Sequence, residues 1–459
     1  MNKKDNIKNF GEVFTPDKLF SYLFDDIDLN DKNATYFEPS FGDGRLVLHL
    51  KNLLLQSFDE KHIMNNMLYG VELQSELFNR SMCNLNPNRF KHNFYNMSAV
   101  DKFDIFSPLY DLKGEMKKLY GNPPYNKNIL KKNDVDPYLW NPSGYTTKLA
   151  YLPFVALGDL LLTPDIGKIK YVMPVSFTSN QNTQSFREFL KQRFQINSLR
   201  VLPPDAFDDI MIRTCIFDAT KNDNAIHDDF TFIRNWNNVE YNTSSNYDDN
   251  NAIPLYIGDI GKSAFNKLAN YDHSLTTFKG WNGSDSYAKQ SSKNESEYEY
   301  KYLNSVNKGS PIFYSTAFPD KSKAKVNNKK NNVGDYNRFG YKKIIINEVV
   351  FDSLETTKHI KYIFVDDTGK FGLSPKNTCV IETEHTKLDD IVSVLLSKEG
   401  QFILSTMKDY NHNDDFSLKV LPISIDGYKD RLTEEEREFI ESNFEDLDIT
   451  VLYGSDYTY

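Results

Sequence analysis

Between about Ala34 and Asp218, short β-rich runs alternate with segments whose apolar residues recur at helical spacing. Thr35–Glu38, Met67–Glu72, Lys118–Gly121, Lys168–Met173, Asn197–Val201 and Thr214–Asp218 predict strands. Leu46–Phe58, Tyr151–Leu162 and Gln184–Phe194 predict helices, with Asp159 and Arg187 falling among polar faces. Strands and helices in alternation make a doubly wound, mostly parallel sheet, so the expected class is α/β with a ligand beyond the carboxyl ends of the central strands.

After Ala219 the periodicity fades, and the Asn-, Ser- and Tyr-rich stretch from Asn235 to Asn251 predicts a loop near a domain boundary. Further on, Lys342–Val350, His359–Val365 and Cys379–Glu382 predict strands and Lys387–Leu396 a helix. Thr433 before Glu434, Glu435 and Glu436 predicts a capped helix start, a hydroxyl followed by first-turn acids. The expected organisation is an N-terminal domain of residues 1–225 and a C-terminal α+β domain of residues 226–459.

Composition changes this picture little: 459 residues, 39% hydrophobic and 26% charged, suit two globular domains, and no apolar run approaches a membrane span. Met1–Asn6 is polar where a secretory signal would be apolar, so a cytoplasmic location is expected. Cys83, Cys215 and Cys379 are far apart and the histidines scattered, which argues against disulfides and against a structural metal. The net charge of −10 argues mildly against nucleic acid as a partner, but its distribution matters more. Between Asp320 and Lys343 stand eight basic residues against two acidic ones. That stretch, with Lys321, Lys323, Lys325, Lys329 and Lys330 at its centre, is the candidate contact to a phosphate backbone, the alternative being a solvated loop.

Candidate chemistry lies in three strand-to-helix turns. Glu38-Pro39-Ser40-Phe41-Gly42-Asp43-Gly44 follows the first predicted strand, and its glycines let the backbone approach a ligand. Glu72 ends the next strand, where a carboxylate can accept hydrogen bonds from two ribose hydroxyls or cap the following helix. The decisive turn is Asn122-Pro123-Pro124-Tyr125. Two prolines hold it extended, leaving the Asn122 side chain and the Pro123 carbonyl as acceptors. The nitrogen of a primary aromatic amine is a poor nucleophile because its lone pair is delocalised; two acceptors on its hydrogens favour sp³ geometry, while Tyr125 stacks on the ring.

These residues resemble the gamma class of amino-methyltransferases, whose adenine-specific members carry N-P-P-Y, over roughly the first 220 residues. The resemblance implies a Rossmann-like methyltransferase domain using S-adenosyl-L-methionine, double-stranded DNA as partner, base flipping and a C-terminal target-recognition domain. It places Asn122, Pro123 and Tyr125 in catalysis, with Phe207 in Leu202–Phe207 opposite Tyr125 on the flipped adenine. Gly11-Glu12-Val13-Phe14-Thr15-Pro16 resembles the motif over the amino-acid end of the cofactor, giving Thr15 and Pro16. Glu38, Pro39 and Ser40, Glu72 and Leu73, and Pro124 and Phe154 complete the implied cofactor lining. An Asp on the following strand should contact the cofactor adenine. Asp101 and Asp104 both qualify, and Asp104 is preferred because Ile105 follows it. Phe41 departs from the commoner small-residue pattern.

Competing readings are a protein glutamine methyltransferase, since an amide –NH₂ suits the same acceptors, an RNA adenine methyltransferase, and an inactive nucleic-acid-binding relative. No nuclease constellation is visible, so any restriction endonuclease of a restriction-modification pair is expected to be a separate protein.

Overall fold

The structure, a computed structural model, describes residues 13–125, 130, 132–140, 149–180, 183–207, 212–222, 229–249, 251–271, 275–279, 291–292, 300–316, 339–347, 360–374, 377–407 and 418–457. The chain divides into two compact units, residues 1–253 and 254–459.

The first unit is built on strands β1 (Tyr36–Glu38), β2 (Leu68–Val71), β3 (Asn93–Tyr95), β4 (Lys118–Gly121), β5 (Lys168–Pro174), β6 (Phe194–Val201), β7 (Thr214–Lys221), β8 (Phe230–Trp236) and β9 (Val239–Ser245). They form one sheet in the order β3-β2-β1-β4-β5-β7-β6-β8-β9. From β3 to β5 every pair is parallel, and β7 runs antiparallel to both neighbours. Helices α1 (Arg45–Leu54), α2 (Ser75–Leu85), α3 (Tyr151–Leu161) and α4 (Gln184–Arg193) complete it. Helix α3 is apolar almost all round and buried almost all round, from Tyr151 to Leu161, as an interior helix must be. Its buried Leu, Val and Phe side chains each contribute roughly 1.5–3 kcal/mol.

Three expectations need correcting. Asn235–Ser245, most of the stretch expected to be a loop, is strand and turn: β8 and β9 pair from Phe230↔Ser245 to Trp236↔Val239 and extend the sheet. Asn237 and Asn238 both take positive φ, 49° and 63°, so the polar stretch contains a two-residue hairpin turn. Asp159 and Arg187 are buried rather than on polar faces. Asp159 accepts hydrogen bonds from Arg193 Nε (2.8 Å) and the Tyr138 hydroxyl, while Arg187 Nη1 donates to the Phe177 and Asn180 carbonyls (2.8 and 2.9 Å).

The second unit holds two sheets. Strands β10 (Thr277–Lys279), β14 (Lys343–Asn347), β15 (Ile363–Asp366), β17 (Asn377–Ile381) and β18 (Val451–Tyr453) form one, in the order β10-β17-β14-β15-β18. Strands β11 (Ser291–Ser292), β12 (Tyr300–Asn307), β13 (Ser310–Thr316) and β16 (Phe371–Leu373) form the other, in the order β11-β13-β12-β16. Among the described residues its longer helices are α5 (Gly258–Leu268), α6 (Leu388–Leu396), α7 (Lys398–Met407) and α8 (Glu434–Asn443). Thr433 caps α8 as expected, in a full capping box with Glu436.

Lys343, counted from sequence with the basic stretch, is fully buried on β14, where its ammonium pairs with Asp366 at 2.5 Å and donates to the Tyr341 carbonyl at 2.9 Å. It cannot reach a phosphate. Lys321, Lys323, Lys325, Lys329 and Lys330 lie outside the described residues.

Candidate active site

The strand order β3-β2-β1-β4 sets four carboxyl ends side by side, and the turns leaving them border one cavity. Thr15, Glu38, Pro39, Ser40, Glu72, Leu73, Asn122, Pro124 and Phe154 line it. Residues far apart in sequence thus meet where a doubly wound sheet places its ligand.

The first turn owes its shape to glycine and to one large side chain. Gly42 and Gly44 have φ of 55° and 79°, left-handed values that carry the chain from β1 into α1. A Cβ on Gly44 would meet Ser81 Cβ at 3.1 Å, so α2 packs directly on the turn. Phe41 is buried and meets Phe94 edge-on at 5.6 Å between centroids. Gly70 leaves room for it: a Cβ there would lie 3.0 Å from Phe41 Cδ1. The bulky residue is therefore an anchor of the turn into the core.

Glu72 fastens this turn to the next. Its Oε2 accepts from Gly42 N at 2.9 Å and its Oε1 from Gln74 N at 2.7 Å. Glu72 is therefore a brace between two turns as well as a cavity-lining acid.

Glu38 stands at the end of β1 with 2% of its surface exposed. Among the described residues its Oε2 has no hydrogen-bond partner, and neither has the buried Ser40 hydroxyl. Burial, reinforced by the nearby charges of Asp43 and then Glu72, pushes the Glu38 carboxyl well above the usual range. Gly121 at the end of β4, with φ of 155°, makes room: a Cβ there would touch Glu38 Oε1 at 3.4 Å.

Asn122 Nδ2 donates to the Val13 carbonyl at 2.9 Å, and its Oδ1 accepts from the Tyr125 hydroxyl. The same hydroxyl lies 3.2 Å from the Val172 carbonyl. Tyr125 is 7% exposed and packed inward, unlike the open stacking surface expected of it. Phe207 is also buried, in a core cluster with Tyr120, Val172, Leu202 and Ile216.

Neither ring lines the cavity, nor do Pro16, Pro123, Asp104 or Ile105. Asp104 borders a separate, shallower hollow with Tyr95, Asn96 and Phe106, its Oδ1 accepting from Phe106 N at 3.0 Å, and Ile105 is 71% exposed. The wall expected from Asp104 is formed instead by Met97, Ser98, Ala99 and Val100, just beyond β3. Asn96 fixes this wall to Glu72 by donating to its carbonyl at 2.7 Å. Sequence reading missed these residues because β3 lies in a stretch, Asn88 to Asn96, dominated by Asn, Lys, Arg and His, with no run of strand-forming residues long enough to stand out. The rule placing ligands at strand carboxyl ends would have found them once β3 was known. Val13, Phe14 and Arg45 were missed as lining too. Among the described residues no group of three or more His, Cys, Asp or Glu could hold a metal ion, and no helix is long and apolar enough to cross a membrane.

The family described as N-6 DNA methylase matches residues 1–301. No curated protein matches the sequence. Among solved structures, the chain is similar to the type IIL restriction-modification enzyme MmeI in complex with DNA, with a TM-score of 0.55 at 12% identity over 91% of this chain and 69% of that one. It is similar to the DrdV–DNA complex, with a TM-score of 0.53 at 11% identity over 96% of this chain and 58% of that one. A type I restriction-modification methyltransferase subunit from Streptococcus thermophilus matches with a TM-score of 0.40 at 19% identity, over 49% of this chain and 47% of that one. The chain spans about half to two thirds of the length of these three structures, and with the first two the likeness is one of fold.

Proposed function

Since the chain belongs to the N-6 DNA methylase family, we propose that it transfers a methyl group from S-adenosylmethionine to the N6 amino group of adenine in double-stranded DNA. The observation that carries this reading is Glu38 Oε2, a buried and unpartnered carboxyl oxygen in the same cavity as Asn122. Leaving such a group unsatisfied is costly, so a ligand with a donor or a positive charge is the natural partner. A cavity lined by Glu38, Asp43 and Glu72 suits a cationic nucleoside and repels a nucleotide phosphate.

S-adenosylmethionine, when bound, supplies a methyl group activated by positively charged sulfur. Glu38 and Thr15 would hold its amino-acid part, Glu72 its ribose hydroxyls, and Leu73 with the Met97–Val100 wall its adenine; Pro39, Ser40, Pro124 and Phe154 close the sides. Pro16, Asp104 and Ile105 are left without such a role.

Asn122 Oδ1 and the Pro123 carbonyl would accept the two N–H bonds of the target adenine, localising the nitrogen lone pair and orienting it in line with the methyl group. The base must leave the duplex stack to be reached. Tyr125 and Phe207 would turn from their packed positions to hold it. The carboxamide of Asn122 is already oriented, since its Nδ2 is held by Val13. Reading of the DNA sequence belongs to the part of the chain beyond the catalytic turns, with Lys321, Lys323, Lys325, Lys329 and Lys330 on phosphates and any restriction endonuclease a separate partner.

The test is to incubate plasmid DNA with methyl-labelled S-adenosylmethionine and map the modified bases. Label at adenine N6 in one sequence context is expected. Label in protein glutamine or RNA alone, or none in DNA, would overturn the reading.

A further inference from the structure

We propose that the Arg45 guanidinium binds the α-carboxylate of the cofactor's amino-acid end, an assignment that rests on the S-adenosylmethionine reading above and deepens it. Three acidic side chains line the cavity, Glu38, Asp43 and Glu72, and Arg45 is the one cationic side chain among the described lining residues. An amino-acid end carries an ammonium, which these acids attract, and a carboxylate, which they repel. Without a cation on the wall, the carboxylate would be driven out and the ligand misplaced.

Arg45 is placed to serve. It opens α1 immediately after Gly44, and its Nε and Nη2 donate to Asp43 Oδ2 at 3.0 and 2.7 Å. Nη1 makes no hydrogen bond to a described residue, so the fork is half used. The guanidinium lies over the Phe14 ring, 5.1 Å from its centroid, and that ring also packs against Gly42, within 3.5 Å of where a Cβ would stand. Phe14 thereby holds the cation on the wall that Val13 and Thr15 share. Glu38 Oε2, buried in the same cavity and without a hydrogen-bond partner among the described residues, offers an acceptor to the ammonium. Two groups of opposite character on one cavity match a zwitterion.

The test compares S-adenosylmethionine with decarboxylated S-adenosylmethionine, which keeps the sulfonium and the amine but lacks the carboxylate. Calorimetric titration of the full chain should show the wild type preferring the carboxylated ligand by about 10-fold or more, the value of a charge-assisted hydrogen bond at a partly exposed site. Arg45→Ala should erase that preference, and Arg45→Lys, the variant to use if alanine loosens the turn, should keep part of it. Asp43→Asn breaks the same ion pair from the other side and should keep the preference. If Arg45→Ala weakens both ligands by one factor, or leaves the preference intact, Arg45 only supports the turn and the assignment fails. If the wild type binds neither compound, the cofactor reading itself fails, an outcome separable from the others.

Discussion

The Tyr125 hydroxyl donates its hydrogen bond to Asn122 Oδ1, the oxygen that the proposed reaction needs for an adenine N–H. The catalytic acceptor and the stacking ring are thus engaged with each other. A carboxamide oxygen has two acceptor positions, so the bond occupies one and leaves one. Swinging the ring out onto a flipped base would break the bond and free the second.

Tyr125→Phe removes the hydroxyl and keeps the ring. Methyl transfer should stay within about 10-fold of wild type, whereas Tyr125→Ala should cost about 1–3 kcal/mol of stacking. Asn122→Ala should cost more, on the order of 10²–10³ in rate, by removing an acceptor from the reacting amine. Cofactor affinity measured calorimetrically should change little in all three. A parallel fall in affinity and rate would show that the tetrapeptide shapes the cavity rather than the base site.

Glu72→Ala should weaken S-adenosylmethionine binding by about 2–4 kcal/mol, the value of two charge-assisted hydrogen bonds. The Gly42 and Gln74 amides lose their acceptor at the same time, so thermal stability should fall as well. Calorimetry and thermal melts on one sample separate the two effects. Unchanged affinity in a destabilised variant would leave Glu72 as a brace alone.

Glu38 holds its proton more tightly in the folded protein than in the unfolded chain, because burial and the Asp43 and Glu72 charges disfavour its anion. A raised folded value means that this group's contribution to stability is intact in acid and shrinks as pH rises above the unfolded value toward the folded one. Glu38→Gln cannot ionise, so the variant should gain stability relative to wild type as pH increases from about 4 to 8. Denaturant melts across that range provide the check; a difference that does not vary with pH would place the charge in water.

Replacing Lys321, Lys323 and Lys325 together by Ala should weaken DNA binding at all sequences and reduce its salt dependence by roughly one unit of slope per lost phosphate contact. The methylated sequence should not change. An unaltered slope in a titration over salt removes these lysines from the interface, and an altered recognition sequence makes them readers of base edges.

The central strands were legible because each alternates with a long apolar helix: β4 occupies its predicted Lys118–Gly121, and β1, β2 and β5 differ from expectation by a residue or two. The turns proposed for catalysis and for the cofactor were legible for the same reason, since each follows a strand that pattern alone exposes. Three-residue β3 was not, and with it went the Met97–Val100 wall and the choice between Asp101 and Asp104. Asn-rich sequence concealed the β8–β9 hairpin because the residues that favour positive φ also favour open loops. Buried Asp159, Arg187 and Lys343 were misread because charge implies solvent unless a partner is known; Asp159 and Lys343 find theirs 34 and 23 residues away, and Arg187 satisfies its guanidinium on backbone carbonyls, which no sequence pattern marks.

The space that Gly70 leaves for Phe41 has a historical consequence. Alanine at position 70 would put its methyl 3.0 Å from the Phe41 ring and 3.1 Å from Phe94 Cδ1 and the Glu38 carbonyl, so while the phenylalanine stands the glycine is locked. A lineage that shrinks residue 41 removes the nearest of these contacts but leaves those of Phe94 and the Glu38 carbonyl, so the glycine stays favoured at 70 after that change; altering 70 itself displaces the strand end bearing Glu38.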